Sequence, residues 1–338
     1  MNYSQTLNHV INGQDLSFDT MQNLMHQVMA GELTPVQIAG ILVALRIKGE
    51  TVDEIAAAAS VMRELSAKVN IQDSTHLIDT CGTGGDGIQT FNVSTVSAFV
   101  AAAAGAKVAK HGGRSVSSTC GSADVLEVLG VNVNQTPEQV ANCVNEIGLG
   151  FMFAPNHHSA MKHSAPVRRE LGVRTLFNLL GPLTNPANAK RQVMGVFSAA
   201  LTGKLAHVLK QLGNEHVLVV CGADGMDEIS FTGDTFVAEL KDGKVSEYTL
   251  NPKQFGLGLH ELASIKVSDA HASKAMILDV LSGKAGAARD IVLLNAGAAI
   301  YVSGIAASLQ AGIVIAADML DNGKAMQKLQ QLITKTNA

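Results

Sequence analysis

The chain has 338 residues, 47% of them hydrophobic and 16% charged, against a typical charged share of roughly 25%. Such a chain buries a large core and is not intrinsically disordered, and at roughly 150 residues per domain its length predicts two domains. A formal net charge of −4, 4% aromatic residues and the absence of Trp argue against a duplex-binding surface and against a stacking platform for single strands.

The first 70 or so residues read as helical throughout. Met21, Leu24, Met25, Val28 and Met29 fall on one helix face. Thr34-Pro35-Val36-Gln37 is a capping box with Pro at the first helical position, predicting a helix to about Lys48, and Thr51-Val52-Asp53-Glu54 repeats the signal ahead of an Ala-rich run. After about Gln72 the rhythm changes to strand–helix alternation, with strands predicted at 76–79, 108–110, 150–153, 191–197 and 216–220. That pattern implies a largely parallel sheet covered on both faces. Segments 236–240 and 245–250, split by Lys241-Asp242-Gly243-Lys244, read as a hairpin, and 290–304 and 309–321 as closing helices. The most apolar tracts, 93–109 and 297–320, are rich in Gly, Ala and Ser and read as buried helices rather than membrane spans. The four cysteines (Cys81, Cys120, Cys143, Cys221) stand far apart and suggest neither a zinc module nor a disulfide framework. The chain's start lacks the features of a signal peptide, so a cytoplasmic protein in a reducing compartment is expected.

Chemistry concentrates in a few segments. Asp79-Thr80-Cys81-Gly82-Thr83-Gly84-Gly85-Asp86-Gly87 follows the first strand, with the next helix expected from about Ser94-Thr95. It matches G-x-G-x-x-G literally, but 101–114 contains no acid where a dinucleotide site needs one, and no G-K-[ST] follows for a P-loop. The glycines still let backbone N–H groups approach an anion, unless the segment is an ordinary tight turn. Ser94 either caps the helix or offers an oxygen to a metal. Lys110-His111-Gly112-Gly113-Arg114 and the hydroxyls as far as Ser118 follow a strand, as phosphate-binding groups on a flexible loop or as solvated charges. His157 and His158 end a later strand, and Arg168, in a predicted helix, suits either a bidentate carboxylate contact or an exposed ion pair. Asp227-Glu228, beyond the 216–220 strand, suits a divalent ion shared with a phosphate, or else caps a turn.

Together these segments make the chain resemble the anthranilate phosphoribosyltransferase family. The matching pieces are D-x-x-G-T-G-G-D-G at 79–87, N-V-S-T at 92–95, K-H-G-x-R-S-V-S-S at 110–118, H-H-S-A-M-K-H at 157–163, the long run at 168–186 and D-G-M-D-E at 224–228. The resemblance covers almost the whole chain, and the 168–186 run is its most specific part.

The resemblance implies an α/β protein: a small all-helical N-terminal domain (1–70) serving dimerisation and part of the cleft, and a larger domain (71–338) with a mostly parallel sheet flanked by helices. This is a phosphoribosyltransferase fold of the nucleoside-phosphorylase-like type, with helices near 170–190 packing on the helical domain. The implied reaction is Mg²⁺-dependent transfer of phosphoribose from phosphoribosyl diphosphate (PRPP) to the amine of anthranilate, in tryptophan biosynthesis, by a homodimer that binds neither nucleic acid nor membrane. Carried over position by position, Gly82, Thr83, Gly84, Gly85, Asp86, Thr90, Asn92, Val93, Ser94, Thr95, Lys110 and Ser118 would meet PRPP. Gly82, His111, His158 and Arg168 would meet anthranilate, and Ser94, Asp227 and Glu228 would hold Mg²⁺. The sequence departs from the family pattern at Gly113, usually Asn, and at Thr119, often Lys; no role is carried to either. A pyrimidine nucleoside phosphorylase and a non-catalytic nucleic-acid-binding relative are the rival readings. The 168–186 run is not the phosphorylase pattern, and the acidic charge with an intact Asp227-Glu228 pair opposes the second.

Overall fold

Four helices occupy the N-terminal part: α1 (Tyr3–Ile11), α2 (Phe18–Ala30), α3 (Pro35–Lys48) and α4 (Val52–Leu65). The expected capping boxes open α3 and α4, with Pro35 in the first turn of α3. Helix α2 buries Met21, Leu24, Met25, Val28 and Met29, the face that their spacing predicts. Glu54 does more than cap. Its carboxylate is fully buried and accepts from the N–H of Leu16 (2.9 Å), the N–H of Thr51 (2.8 Å) and Lys48 Nζ (2.9 Å), tying three segments together.

The computed structural model describes residues 1–114 and 120–338. Beyond the bundle it alternates strand and helix: β1 (Leu77–Gly82), α5 (Val93–Ala103), β2 (Lys107–Gly112), α6 (Ser122–Leu129), α7 (Pro137–Ile147), β3 (Leu149–Phe153) and the short α8 (Ala154–His157). Next come α9 (Ala165–Leu171), α10 (Phe177–Leu180), β4 (Arg191–Gly195), α11 (Thr202–Gln211), β5 (His216–Gly222), β6 (Thr235–Lys241) and β7 (Lys244–Leu250). Helices α12 (Ala270–Leu281), α13 (Ala287–Val302), α14 (Leu309–Asp321) and α15 (Lys324–Thr336) follow. The polar, Lys- and Gln-rich α15 is missed by the sequence reading, yet it seats Ala325, Leu329 and Leu332 in the core. Boundaries also move: β1 continues through Gly82, α5 starts at Val93, β2 continues through Gly112, β4 stops at Gly195 and β5 runs on to Gly222.

The seven strands lie in the order β3-β2-β1-β4-β5-β6-β7. The first five are parallel, and β6–β7 is an antiparallel hairpin turned by Asp242 (φ 51°) and Gly243 (φ 71°), the left-handed pair of a two-residue turn. The chain runs outward from β1 to β3 and then returns to place β4 on β1's other side. That reversal opens a crevice above the carboxyl ends of β1 and β4, where ligands of open parallel sheets bind.

Helices α5, α12, α13 and α15 share one core with one face of the sheet. A second core runs without a break from the N-terminal helices through Val167, Leu176, Phe177, Leu180 and Leu183 to α11 and the other face of β4–β6. Residues near 170–190 therefore pack on the helical bundle. Among the described residues, no helix is long and apolar enough to cross a membrane.

Candidate active site

The glycine loop leaves β1 where the backbone must turn left-handed, with φ of 63° at Gly84, 79° at Gly85 and 75° at Gly87. Its first turn is pinned from below: the Thr83 N–H donates to the Gly195 carbonyl (2.9 Å) and the Gly84 N–H to Asp227 Oδ2 (2.9 Å). The next three N–H groups, of Gly85, Asp86 and Gly87, have no acceptor among the described residues. Successive free N–H groups on such a turn form an anion-binding nest. Asp86 folds back to accept from the Ile88 N–H (3.0 Å), and Thr90, half-buried, bridges to Lys266.

Asp227 and Glu228 enter the crevice from the loop after β5. A Cβ on Gly195 would stand 1.5 Å from the Asp227 carbonyl oxygen, and one on Gly82 would stand 2.5 Å from Asp227 Oδ2. The glycines ending β1 and β4 thus make the room for this acid. Glu228 Oε1 accepts from the Ser94 N–H (3.1 Å). Burial, and next to it the nearby Asp86 carboxylate, push the Asp227 carboxyl up to about 7; burial and then Asp227 push Glu228 up to about 8. Two half-buried acids so destabilised in the charged form call for a compensating cation. Carboxylate oxygens of this kind, with the nearby Ser94 hydroxyl that accepts from Lys110, are donors of the type that Mg²⁺ takes. Among the described residues no cluster of three or more His, Cys, Asp or Glu side chains is placed to hold an ion alone, so further donors would have to come from a ligand or water.

Ser94 is not the helix cap. Asn92 occupies that position in α5, and its amide is engaged by the Cys120 carbonyl (3.2 Å) and the Ser273 hydroxyl (2.7 Å). Val93 packs in the core with its N–H on the Phe91 carbonyl (2.8 Å), so it offers a ligand neither side chain nor donor. The buried Thr95 hydroxyl has no partner among the described residues. Lys110 corrects the reading of a solvated loop. It lies in β2, is 4% exposed, and donates to the Thr80 carbonyl and to Ser94 Oγ (3.2 Å). Burial pulls its pKa down, against the attraction of Asp79 and the other nearby anions. Arg114 parts from it and forms exposed ion pairs with Asp124 (2.9 Å) and Glu127 (2.6 Å). Ser118 lies outside the described residues.

The remaining expected residues form a second group. His111, also in β2, directs Nδ1 at the Gly181 carbonyl (3.2 Å); a carbonyl only accepts, so Nδ1 carries the proton and Nε2 presents a lone pair. Its ring meets that of His158 edge-on at 5.1 Å. Burial first, and the neighbouring histidines second, hold His111 down to about 3 and His158 to about 4, so both are neutral at pH 7. Both Nε2 atoms are buried without a partner among the described residues. His157 diverges from its neighbour, its Nδ1 on the Ala67 carbonyl (3.0 Å). Arg168 projects from α9 over the Phe177 ring (5.2 Å) with no carboxylate partner among the described residues. Among the described residues, no hydrogen bond or ring contact joins it to the two histidines.

Two supports escape the sequence reading. Asp79, fully buried, accepts from Asn185 Nδ2 (2.7 Å) and the His111 N–H (3.1 Å), and stands as counter-charge to Lys110. Arg174 reaches the glycine loop. Asp79 carries a readable signal, an acid at the start of the loop motif; the Asn185 contact spans 106 residues and has none.

Comparison with known proteins gives the family. Residues 4–66 match the glycosyl transferase family helical bundle domain and residues 74–326 its a/b domain. The chain is 67% identical to an anthranilate phosphoribosyltransferase of Methylobacillus flagellatus, over 96% of each chain. The crystal structure of the Thermus thermophilus anthranilate phosphoribosyltransferase matches with a TM-score of 0.93 at 42% identity, over 98% of this chain and 99% of that one. The Saccharomyces cerevisiae anthranilate phosphoribosyltransferase, solved in complex with PRPP and Mg, matches with a TM-score of 0.89 at 27% identity, over 98% of each chain. The chain belongs to the anthranilate phosphoribosyltransferase family.

Proposed function

We propose that the protein transfers 5-phosphoribose from PRPP to the amine of anthranilate, releasing diphosphate, as a step of tryptophan biosynthesis. The observation that carries this reading is the pairing, at the carboxyl ends of β1 and β4, of a backbone nest with two carboxylates that burial disfavours in the charged form. A diphosphate and its cation complement both. The Gly85, Asp86 and Gly87 N–H groups would donate to the diphosphate, and Lys110 would face its charge from the floor of the crevice. Asp227, Glu228 and Ser94 would hold Mg²⁺, which when bound offsets negative charge building on the departing diphosphate.

The C1–O bond to diphosphate breaks and a C1–N bond forms, and the proton then shed by the cationic nitrogen leaves with the diphosphate or to solvent. An aromatic amine is neutral near pH 7, so it needs alignment more than deprotonation. The lone pair on His111 Nε2 is available to an amine N–H, and the low basicity of both imidazoles fits orientation rather than proton removal. The unpaired Arg168 guanidinium suits the anthranilate carboxylate. Holding amine and C1 in line supplies much of the rate, and water exclusion limits hydrolysis of the ribosyl cation.

The quaternary state belongs to this proposal. Helix α3 is apolar on all sides: Ile38, Ile41, Leu42 and Leu45 are buried, while Val36 and Ile47 are each 81% exposed on the other face, in line with Gly40 and Val43. That stripe supports a homodimer formed through the helical domain, 1–70. Four buried free cysteines support work in a reducing compartment, the cytoplasm. Anthranilate fluorescence tests the function. It should fall when PRPP and Mg²⁺ are both added; no change with both present refutes the reading.

A further inference from the structure

One cation at the crevice has no part in the scheme above. Arg174 lies on the exposed turn between α9 and α10. Its guanidinium lies over the Phe197 ring, 4.0 Å from the centroid, and its Nη2 donates to the Gly85 carbonyl. It has no carboxylate partner among the described residues. Phe197 follows β4, so one side chain ties three segments: the end of β4, the turn after α9, and the glycine loop. We infer that Arg174 is a positioning residue that holds the loop in its anion-binding shape, an inference that rests on the reading of the loop as the diphosphate site.

The geometry gives the reason. In a trans peptide the carbonyl and the following N–H point in opposite directions. Fixing the Gly85 carbonyl on Arg174 therefore turns the Asp86 N–H away from the arginine, to the face where it has no protein acceptor. The Gly84 N–H is pinned to Asp227 on the other side (2.9 Å). The loop is thus held at two peptides, Thr83–Gly84 and Gly85–Asp86, that flank the one between Gly84 and Gly85. Without the arginine hold, three glycines of positive φ leave the segment free to sample other shapes, and the cost of ordering it falls on ligand binding. Stacking on Phe197 fixes the plane of the guanidinium, which a lysine cannot reproduce. Arg174 also stands six residues beyond Arg168, so the segment proposed to meet the acceptor carboxylate shares a hydrogen bond with the loop proposed to meet the donor.

The test uses the full chain as wild type, Arg174→Ala, Arg174→Lys and Phe197→Leu. PRPP binding with Mg²⁺ is followed by calorimetry, and steady-state kinetics are measured for both substrates. Loss of one charge-assisted hydrogen bond predicts a PRPP dissociation constant and KM raised about tenfold or more in the Ala variant. kcat at saturating PRPP should change by less than about twofold, because binding and not the chemical step is affected. Lys should recover part of the loss, and Phe197→Leu should shift affinity in the same direction by less. An Ala variant that binds PRPP like wild type overturns the inference, as does one whose kcat and both KM values worsen together along with its thermal midpoint. Should the Ala chain not fold, unchanged PRPP affinity in Phe197→Leu and Arg174→Lys overturns it. A wild-type protein that binds no PRPP sinks the diphosphate reading itself, whereas normal binding by wild type and variants alike sinks the arginine hold alone.

Discussion

Asp227 and Glu228 are acids held where neither is comfortable alone, and their environment predicts opposite effects on stability and on turnover. Asp227→Asn with Glu228→Gln removes the repulsion, so the ligand-free thermal midpoint should stay level or rise, while the midpoint gain on adding Mg²⁺ with PRPP and the turnover should both collapse. Near-normal turnover would reject the metal assignment. The imidazoles of His111 and His158 predict a pH effect. Both have folded pKa values, about 3 and about 4, below the unfolded value of about 6.5. The unfolded chain therefore binds more protons below pH 6.5, and stability falls as pH drops from there towards the folded values. Within that window each group contributes a slope of up to about 1.4 kcal/mol per pH unit. His158→Asn should flatten the acid limb of a denaturation series between pH 6 and 4; an unchanged slope would show that this ring is not held neutral. The residue types at the site were legible because their chemistry is local: glycines before an acid, and a pair of acids after an apolar strand. The burial of Lys110 was not, because a lysine beside a strand end looks the same whether Asp79 waits beneath it or solvent does.

Helix α3 shows how far periodicity reaches. Its start was readable from Thr34, Pro35 and Gln37, and its length from the apolar run, but a helix apolar all round has no single face to assign. The structure divides it: Ile38, Ile41, Leu42 and Leu45 go inward, and Val36 and Ile47 go outward. If the outward stripe is a dimer face, Val36→Asp with Ile47→Asp should shift the protein from dimer to monomer in light scattering while its circular dichroism is retained. A double variant that stays dimeric would move the interface elsewhere. Helix α15 is the converse case. Its few apolar residues sit in a Lys- and Gln-rich sequence, and its existence depends on docking against α5 and α7, contacts with no trace in local pattern.

Across the whole molecule, polar contacts fasten the helical bundle to the sheet domain. Arg63 of α4 is the main polar fastening: Nε donates to the Leu183 carbonyl (2.6 Å), Nη1 to the Leu212 carbonyl (3.3 Å) and Nη2 to Asn214 Oδ1 (3.2 Å). Burial pulls its pKa down to about 10, and it has no carboxylate partner among the described residues. Arg63→Ala leaves three acceptors without their donor, which should cost on the order of 2–4 kcal/mol in a denaturant titration. A loss below about 0.5 kcal/mol, the usual range of a surface change, would mean that the shared apolar core alone fixes the bundle. The two-part organisation was legible from the change in rhythm near Gln72; the seam was not, because Arg63 pairs with residues 120 to 151 positions away. Nest and carboxylates together are proposed to hold a diphosphate leaving group for attack by an aromatic amine. The most direct measurement is the stoichiometry of a reaction containing PRPP, anthranilate and Mg²⁺, with diphosphate and the N-ribosylated product quantified together. One diphosphate per anthranilate consumed is expected, and none without Mg²⁺. Diphosphate release that does not depend on anthranilate, or anthranilate left intact with every component present, would contradict it.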